Sequence, residues 1–361
     1  MNLLFLNGKK VEKKLRIGFV GVGAMGQCAH LRNYVTLPDC EVVAIAELRP
    51  KTARAVAERY GVPKVYRDHE EMLAGEQLDA IVASQPFTRH GVLVPDLARA
   101  GLPIFTEKPL AGSVEVGERI CAATAAGGAR HMVGYHKRSD PATTCAKAEV
   151  DRLRETGELG PLKYVRILMP AGDWIAGGLD GLIDAGDPTP DLAHDPPASD
   201  MDAETNRAYI DFVNYYIHQV NLMRHLLGEP YRVTYADPSG VMLAGRSDSG
   251  VACAIEMTPY RTTVDWQESV LVAFEKGYVK LELPAPLATH RPGAVEVLHD
   301  RGEGRAPEVR RPHLPWGHAM KQQAANFLAF ARGDAPAPCD AVEALEDLQI
   351  ARDYIRLWKG K

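Results

Sequence analysis

The chain has 361 residues, 46% hydrophobic and 25% charged, with a net charge of -5 at pH 7. This is enough chain for two domains with real cores, and the pI near 6.2 excludes the basic stripe of a nucleic-acid binder. The six cysteines (Cys28, Cys40, Cys121, Cys145, Cys253 and Cys339) form no close pair, so neither a metal site nor a disulfide framework is expected, and a cytoplasmic location is.

The opening MNLLFLNGKK puts charge after a short apolar run, the reverse of a signal peptide, and no stretch reaches membrane-span length. No membrane partner is expected. The basic pairs Lys9-Lys10 and Lys13-Lys14 are short.

The first element, LRIGFV, runs into Gly21-x-Gly23-x-x-Gly26 and then into helix-forming residues. Gly21 permits the tight turn, Gly23 lets backbone amides approach a pyrophosphate, and Gly26 lets helix and strand pack; Ala24 and Met25 complete the loop. Alone the motif is weak, because a single glycine can be just a turn residue. The next strand, CEVVAIAEL, ends in Glu47, 21 residues after Gly26, where a carboxylate would accept hydrogen bonds from a ribose 2′-hydroxyl. A carboxylate there repels a 2′-phosphate, so NAD is expected ahead of NADP, with Arg49 as the residue able to pair with such a phosphate.

Helices and strands then alternate through KTARAVAERYG, PKVY, HEEMLAG, LDAIVAS, VLVPDLARAG, PIFTEKP, VEVGERICAATAAGG and HMVGY, which implies a parallel, doubly wound sheet. Ligands of such sheets bind beyond the carboxyl ends of the strands. That singles out SQPFTRH, with Ser84, Gln85, Pro86 and His90, and TEKP, with Glu107 and Lys108. The plain alternative for Lys108 is a surface lysine at a strand exit.

The second half is β-rich, with KYVRILM, YRVTYAD, SGVACAIEMTPY, ESVLVAFE and GYVKLEL separated by turn signals, and helices return at MKQQAANFLAFARG and AVEALEDLQIARDYIRLWKG. Between KYVRILM and the helix carrying NYYIHQVN lies a Gly-, Pro- and Asp-rich segment with eight aspartates (Asp173, Asp180, Asp184, Asp187, Asp191, Asp195, Asp200 and Asp202). It reads either as a binding loop or as disorder, and most of the aspartates as solvated. Asp173 and Trp174 directly after a strand could hydrogen-bond and stack on a sugar, against the alternative of a core tryptophan. His194 and its aspartates have no metal-ligand spacing. Tyr135, His136, Lys137, Arg166 and Trp266 are further candidates by position.

In the helix that follows, Asp211, Asn214, His218, Asn221 and His225 form one polar stripe at spacings of three and four, with Val213, Ile217, Val220, Met223 and Leu227 on the apolar side. Such a stripe either lines a cavity or is a solvated face.

The glycine motif, VASQPFTRH, Glu107-Lys108-Pro109, VGYHKRSDP, GELGPLKYV and the late histidine, in that order, resemble the Gfo/Idh/MocA oxidoreductases, the family named for glucose-fructose oxidoreductase and inositol dehydrogenase. The resemblance implies an α/β chain: an N-terminal Rossmann doubly wound parallel sheet over residues 1–135, and over 136–361 an α/β domain with a large open, mostly antiparallel sheet that serves as an oligomer interface. The C-terminal helices are then expected to pack back on the Rossmann domain. It also implies hydride transfer between a nicotinamide and a secondary hydroxyl of a polyhydroxylated small molecule, a sugar, glycoside or cyclitol. Lys108 would bind the reacting oxygen, and His218 would move its proton. The family has an aspartate four residues before that histidine; here it is Asn214, so His218 is expected to titrate lower than in the family pattern. The bulk of Ala208-Tyr209-Ile210 and Tyr216 departs from the family's glycines and would reshape the substrate pocket. An NAD-dependent glycosidase and a non-catalytic nucleotide sensor share this scaffold and stand as alternatives.

Overall fold

The computed structural model describes residues 13–302 and 304–360; the MNLLFLNGKK reading lies outside them. The first sheet has strands β1 (Leu15–Val20), β2 (Cys40–Ala46), β3 (Lys64–Tyr66), β4 (Ala80–Ala83), β5 (Ile104–Glu107) and β6 (His131–Gly134). Their order is β3-β2-β1-β4-β5-β6, all parallel. The order reverses between β1 and β4, so the crevice of this sheet opens at the carboxyl ends of those two strands.

Helices start where side chains cap them. Asp68, Ser113, Asp140, Asp202 and Asp340 each accept from a backbone N–H in the first turn of the helix they precede. The second sheet contains β7 (Leu162–Leu168), β8 (Tyr231–Ala236), β9 (Met242–Ser247), β10 (Ala252–Glu256), β11 (Glu268–Phe274), β12 (Gly277–Leu283), β13 (Ala294–His299) and β14 (Glu308–Arg310). Its order is β14-β13-β12-β11-β7-β10-β9-β8, antiparallel except between β7 and β10. The fold class expected from the sequence is the one observed.

The alternation along β11 shows how this sheet is used. Val270, Val272 and Phe274 are buried under helices, while Ser269, Leu271 and Ala273 are half-exposed on the other face beside Tyr164, Arg166 and Leu168 of β7. That second face is left partly open by the described residues.

Strands β9, β13 and β14 and the helix Pro141–Thr156 go beyond the expected elements. The helix is marked in the sequence by the Asp140 cap, Pro141 in its first turn and Gly157 in the left-handed conformation at its end. The helix Ala319–Arg332 lies against the first sheet, where the Phe327 ring meets Phe105 and Tyr34 edge-on at centroid distances of 5.7 and 6.4 Å. Just before the last helix, Ala341–Lys359, the Cys339 carbonyl accepts from Val133 N at 3.0 Å, at the edge of β6.

Inside the first sheet, His131 faces Thr106 Oγ1 at 2.8 Å, and burial pushes its imidazole down to about 3. The unfolded chain takes up this proton below pH 6.5, while the folded chain refuses it until about pH 3, so stability falls as pH drops from 6.5. For this one histidine the loss is about 1.4 kcal/mol per pH unit. Urea unfolding at pH 7.5 and 5.0 is expected to show this slope, and His131→Gln to reduce it by that amount; an unchanged slope would remove His131 from the account.

Candidate functional site: a dinucleotide cleft and an adjoining polar cavity

The loop after β1 is tight at two of its glycines and open at the third. Gly21 has φ +88°, and a Cβ there would collide with the Gln85 side chain and lie 2.6 Å from Ser84 O; one at Gly26 would lie 2.6 Å from Gly21 O. A Cβ at Gly23 would meet nothing within 4 Å. Gly23, the glycine expected from the sequence to let a pyrophosphate approach, therefore faces open space.

Two cavities flank this loop. The first, of about 480 Å³, is bordered by Gly23, Ala24, Met25 and Gly26, by Ser84, Gln85 and Pro86 after β4, and by Glu107 and Lys108 after β5. Across from them stand His136, Lys137, Trp174, Asn214, His218, Gln219 and Trp266. The second, of about 290 Å³, is bordered by Gly21, Glu47, Arg49 and again Ser84, Gln85 and Pro86. Glu47 accepts from Val22 N at 3.0 Å and is gripped by Arg49 through Nε at 2.9 Å and Nη2 at 3.1 Å. Burial alone would raise its carboxyl, but the Arg49 and backbone hydrogen bonds together leave it below the ordinary value, so it is ionised at neutral pH.

The two cavities are arranged as the halves of one cleft, with the Gly23 loop, Ser84, Gln85 and Pro86 on both walls. Residues 15–135 match the model of an oxidoreductase family with an NAD-binding Rossmann fold, Gfo/Idh/MocA. These residues form a Gfo/Idh/MocA Rossmann domain. Inositol 2-dehydrogenase of Burkholderia lata is 28% identical over 79% of the chain and 80% of its own length. The enzyme of the same name from Rhizobium meliloti is 26% identical over 95% and 96%. Among solved structures, an NAD-binding oxidoreductase from Klebsiella pneumoniae superposes with a TM-score of 0.74 at 16% identity, covering 96% of this chain and 97% of that one. At that identity the likeness is one of fold.

Glu107 leaves β5 with its carboxylate on His30 Nε2 at 2.6 Å and on Lys108 N at 3.1 Å. Burial pushes its pKa up, yet the His30 bond and the charges of His30 and Lys108 bring it below the ordinary glutamate value. The next peptide, Lys108-Pro109, is cis. Lys108 Nζ donates to the main-chain carbonyl of Asn214 at 2.6 Å. Burial lowers the ammonium's pKa, Glu107 opposes this and Lys137 adds to it, and the net shift is downward.

The stripe through His218 differs from the expectation. The helix stops at Tyr215, and a second one, Ile217–Leu227, begins after Tyr216, which sits at φ -100°, ψ -2° with its hydroxyl on Met257 O at 2.9 Å. Asn214 is therefore in the last turn of one helix and His218 in the first of the next. A helix end has carbonyls without intrahelical partners, and the one at Asn214 takes the lysine. His218 is buried and its Nδ1 has no hydrogen-bond partner among the described residues, so the Asn214 amide does not orient the ring. Instead His136 lies against it, edge-on with centroids 4.4 Å apart. Burial first, then the His136 ring and the ammoniums of Lys108 and Lys137, hold the His218 imidazole well below its ordinary pKa.

Several expected site residues lie elsewhere. His90 is fully buried, with Nδ1 facing Leu110 O at 3.1 Å, and borders neither cavity. Asp173 caps its own turn, accepting from Ile175 N and Ala176 N, and borders a different surface pocket. Tyr135 is buried behind His218, its ring 5.9 Å away, and does not border the cavity. Asn221 faces inward to Arg138 Nε at 2.7 Å and Asp347 Oδ2 at 2.6 Å. Arg166 is on the partly open sheet face with Glu256 at 3.9 Å.

The aspartate-rich segment is a surface strap: most of its aspartates, Asp180, Asp184, Asp191, Asp200 and Asp202, are exposed as expected, and a few residues pin it down. Gln27 exchanges two hydrogen bonds of 3.0 Å with the Ile183 backbone. Asp187 caps the helix Pro50–Tyr60 from outside, accepting from Lys51 N at 2.7 Å and Thr52 Oγ1 at 2.6 Å. Thr189, Pro190 and Leu192 then wall the second cavity, and Asp195 accepts from Gly91 N at 2.9 Å. The strap thus forms part of the wall of the second cavity. Asp187→Ala is expected to increase the dissociation rate of NADH severalfold in stopped-flow displacement while leaving the fold intact by circular dichroism. An unchanged rate would mean the strap does not retain the nucleotide.

Proposed function

We propose that the protein is an NAD-dependent dehydrogenase. It transfers hydride between a secondary hydroxyl of a sugar, glycoside or cyclitol and the nicotinamide, giving the keto product. One observation carries the reading: Lys108 and His218, from opposite halves of the chain, border the same cavity as the Gly23–Gly26 loop. The inositol 2-dehydrogenase names of its relatives support the choice of substrate class.

Bound NAD supplies the hydride acceptor. The residues supply the rest: the Lys108 ammonium faces the substrate oxygen and stabilises the negative charge that develops on it. His218, neutral at pH 7, accepts the hydroxyl proton. Glu47, ionised and already bound by Arg49, favours a ribose 2′-hydroxyl over a 2′-phosphate. The partly open face of the second sheet, with Leu168, Leu271 and Tyr164, is the surface for a homo-oligomer. Among the described residues no helix is long and apolar enough to cross a membrane, in keeping with an enzyme of the cytoplasm.

Purified protein is tested against inositols, sugars and glycosides with NAD and NADP, following reduced cofactor. Lys108→Met and His218→Ala are each expected to reduce kcat by about 100-fold or more while NADH binding persists. Wild-type turnover in either variant would refute the assignment.

Asn214→Asp tests the tuning of the histidine. A carboxylate added beside Lys108 and one short break from His218 favours the imidazolium, so the acid limb of kcat/KM against pH is expected to move to higher pH. A superimposable profile would show that position 214 does not act on His218.

A further inference from the structure

At the wall of the cavity away from the glycine loop, three side chains share the carboxylate of a fourth. Glu268 Oε2 accepts from Lys137 Nζ and, at 3.3 Å, from Trp266 Nε1, while Glu268 Oε1 accepts from Gln219 Nε2 at 2.8 Å. The Lys137–Glu268 pair has side-chain exposures of only 5% and 0%, and Lys137 Nζ also lies 5.4 Å from the Trp266 ring centroid. Because Gln219 Nε2 must donate to the carboxylate, the orientation of its amide is fixed, and Oε1 points away as an acceptor. That oxygen is fully buried and has no hydrogen-bond partner among the described residues, on a residue that borders the cavity.

We propose that Lys137, Gln219, Glu268 and Trp266 form a subsite for a hydroxyl of a neutral ring polyol, remote from the carbon that reacts. This rests on the dehydrogenase reading and names what its substrate must carry. A hydroxyl satisfies the subsite in both senses: it donates to Gln219 Oε1 and accepts from an N–H of Lys137 not used by Glu268. A carboxylate cannot, because it only accepts, and it would bring a second negative charge next to Glu268. The lysine charge is already matched within the subsite, so no net positive charge draws an acidic substrate. An analogue lacking the hydroxyl leaves Gln219 Oε1 buried and unpaired, the situation in which polar sites discriminate most strongly. The Trp266 ring beside the lysine gives an apolar surface for a ring face.

The test is calorimetric titration of NADH-loaded protein with myo-inositol, scyllo-inositol, D-glucose, their monodeoxy derivatives and D-glucuronate. At least one neutral polyol is expected to bind, one of its monodeoxy derivatives to bind roughly 100-fold more weakly, and D-glucuronate to bind more weakly than D-glucose. Gln219→Met is expected to abolish the discrimination between parent and deoxy compound. The ligand series on the unaltered protein holds the test open if that variant does not fold. The proposal is overturned if no neutral polyol binds, if D-glucuronate binds more tightly than D-glucose, or if every deoxy derivative binds as tightly as its parent. Hydride transfer without deoxy discrimination would sink the subsite and leave the dehydrogenase reading. Discrimination without NADH formation from any polyol that binds would sink the dehydrogenase reading and leave the subsite.

Discussion

Lys108 reaches from the end of β5 to the main-chain carbonyl of Asn214, and the geometry of the cleft turns on that contact. A lysine buried beside another lysine would lose its proton more easily; here Glu107 on one side and a helix-end carbonyl on the other keep a place for the charge. The carbonyl is free because the helix is interrupted at Tyr216. The same interruption starts a new helix whose first turn carries His218 and Gln219, both of which border the cavity. One irregularity in a helix thus supplies the lysine's partner, the candidate base and the amide of the polyol subsite.

The second helix is held in turn by a buried polar network. Asn221 and Arg224 bind Asp347 of the last helix, and Arg138, next in sequence to Lys137, binds Asn221 and Glu343. Removing one member of such a network would leave another buried and unpaired, so its cost exceeds that of a surface pair. The consequence is positional: His218 and Gln219 on one side, and His136 and Lys137 on the other, are anchored to the same Asp347–Glu343 surface.

What could be read from the sequence follows from range. The glycine loop, Glu47 and the alternation of the first sheet are local patterns, and each was visible because turn, strand and helix chemistry act over a few residues. Lys108 and His218 were legible as motif residues within the resemblance, and spacing alone left their roles open. The stripe misled at Asn221, because helical periodicity does not distinguish a cavity from a buried network, and at Asn214, because nothing in NYYIHQVN announces the interruption that Tyr216 makes by reaching Met257. The Gln219–Glu268 and Asp187–Thr52 contacts join residues 49 and 135 positions apart, and no local rule brings such partners together. His90 followed the strand-end rule and still turned inward to the Leu110 carbonyl.

The helix Ala319–Arg332 has a consequence for how the chain is made. Phe19, Tyr34 and Phe105 belong to the nucleotide half, yet their aromatic cluster is closed by Phe327. A ribosome moving from the amino end has made the whole second sheet before it reaches the ring that completes the first. The nucleotide half therefore waits, with one side of its core open to water, until the other half exists.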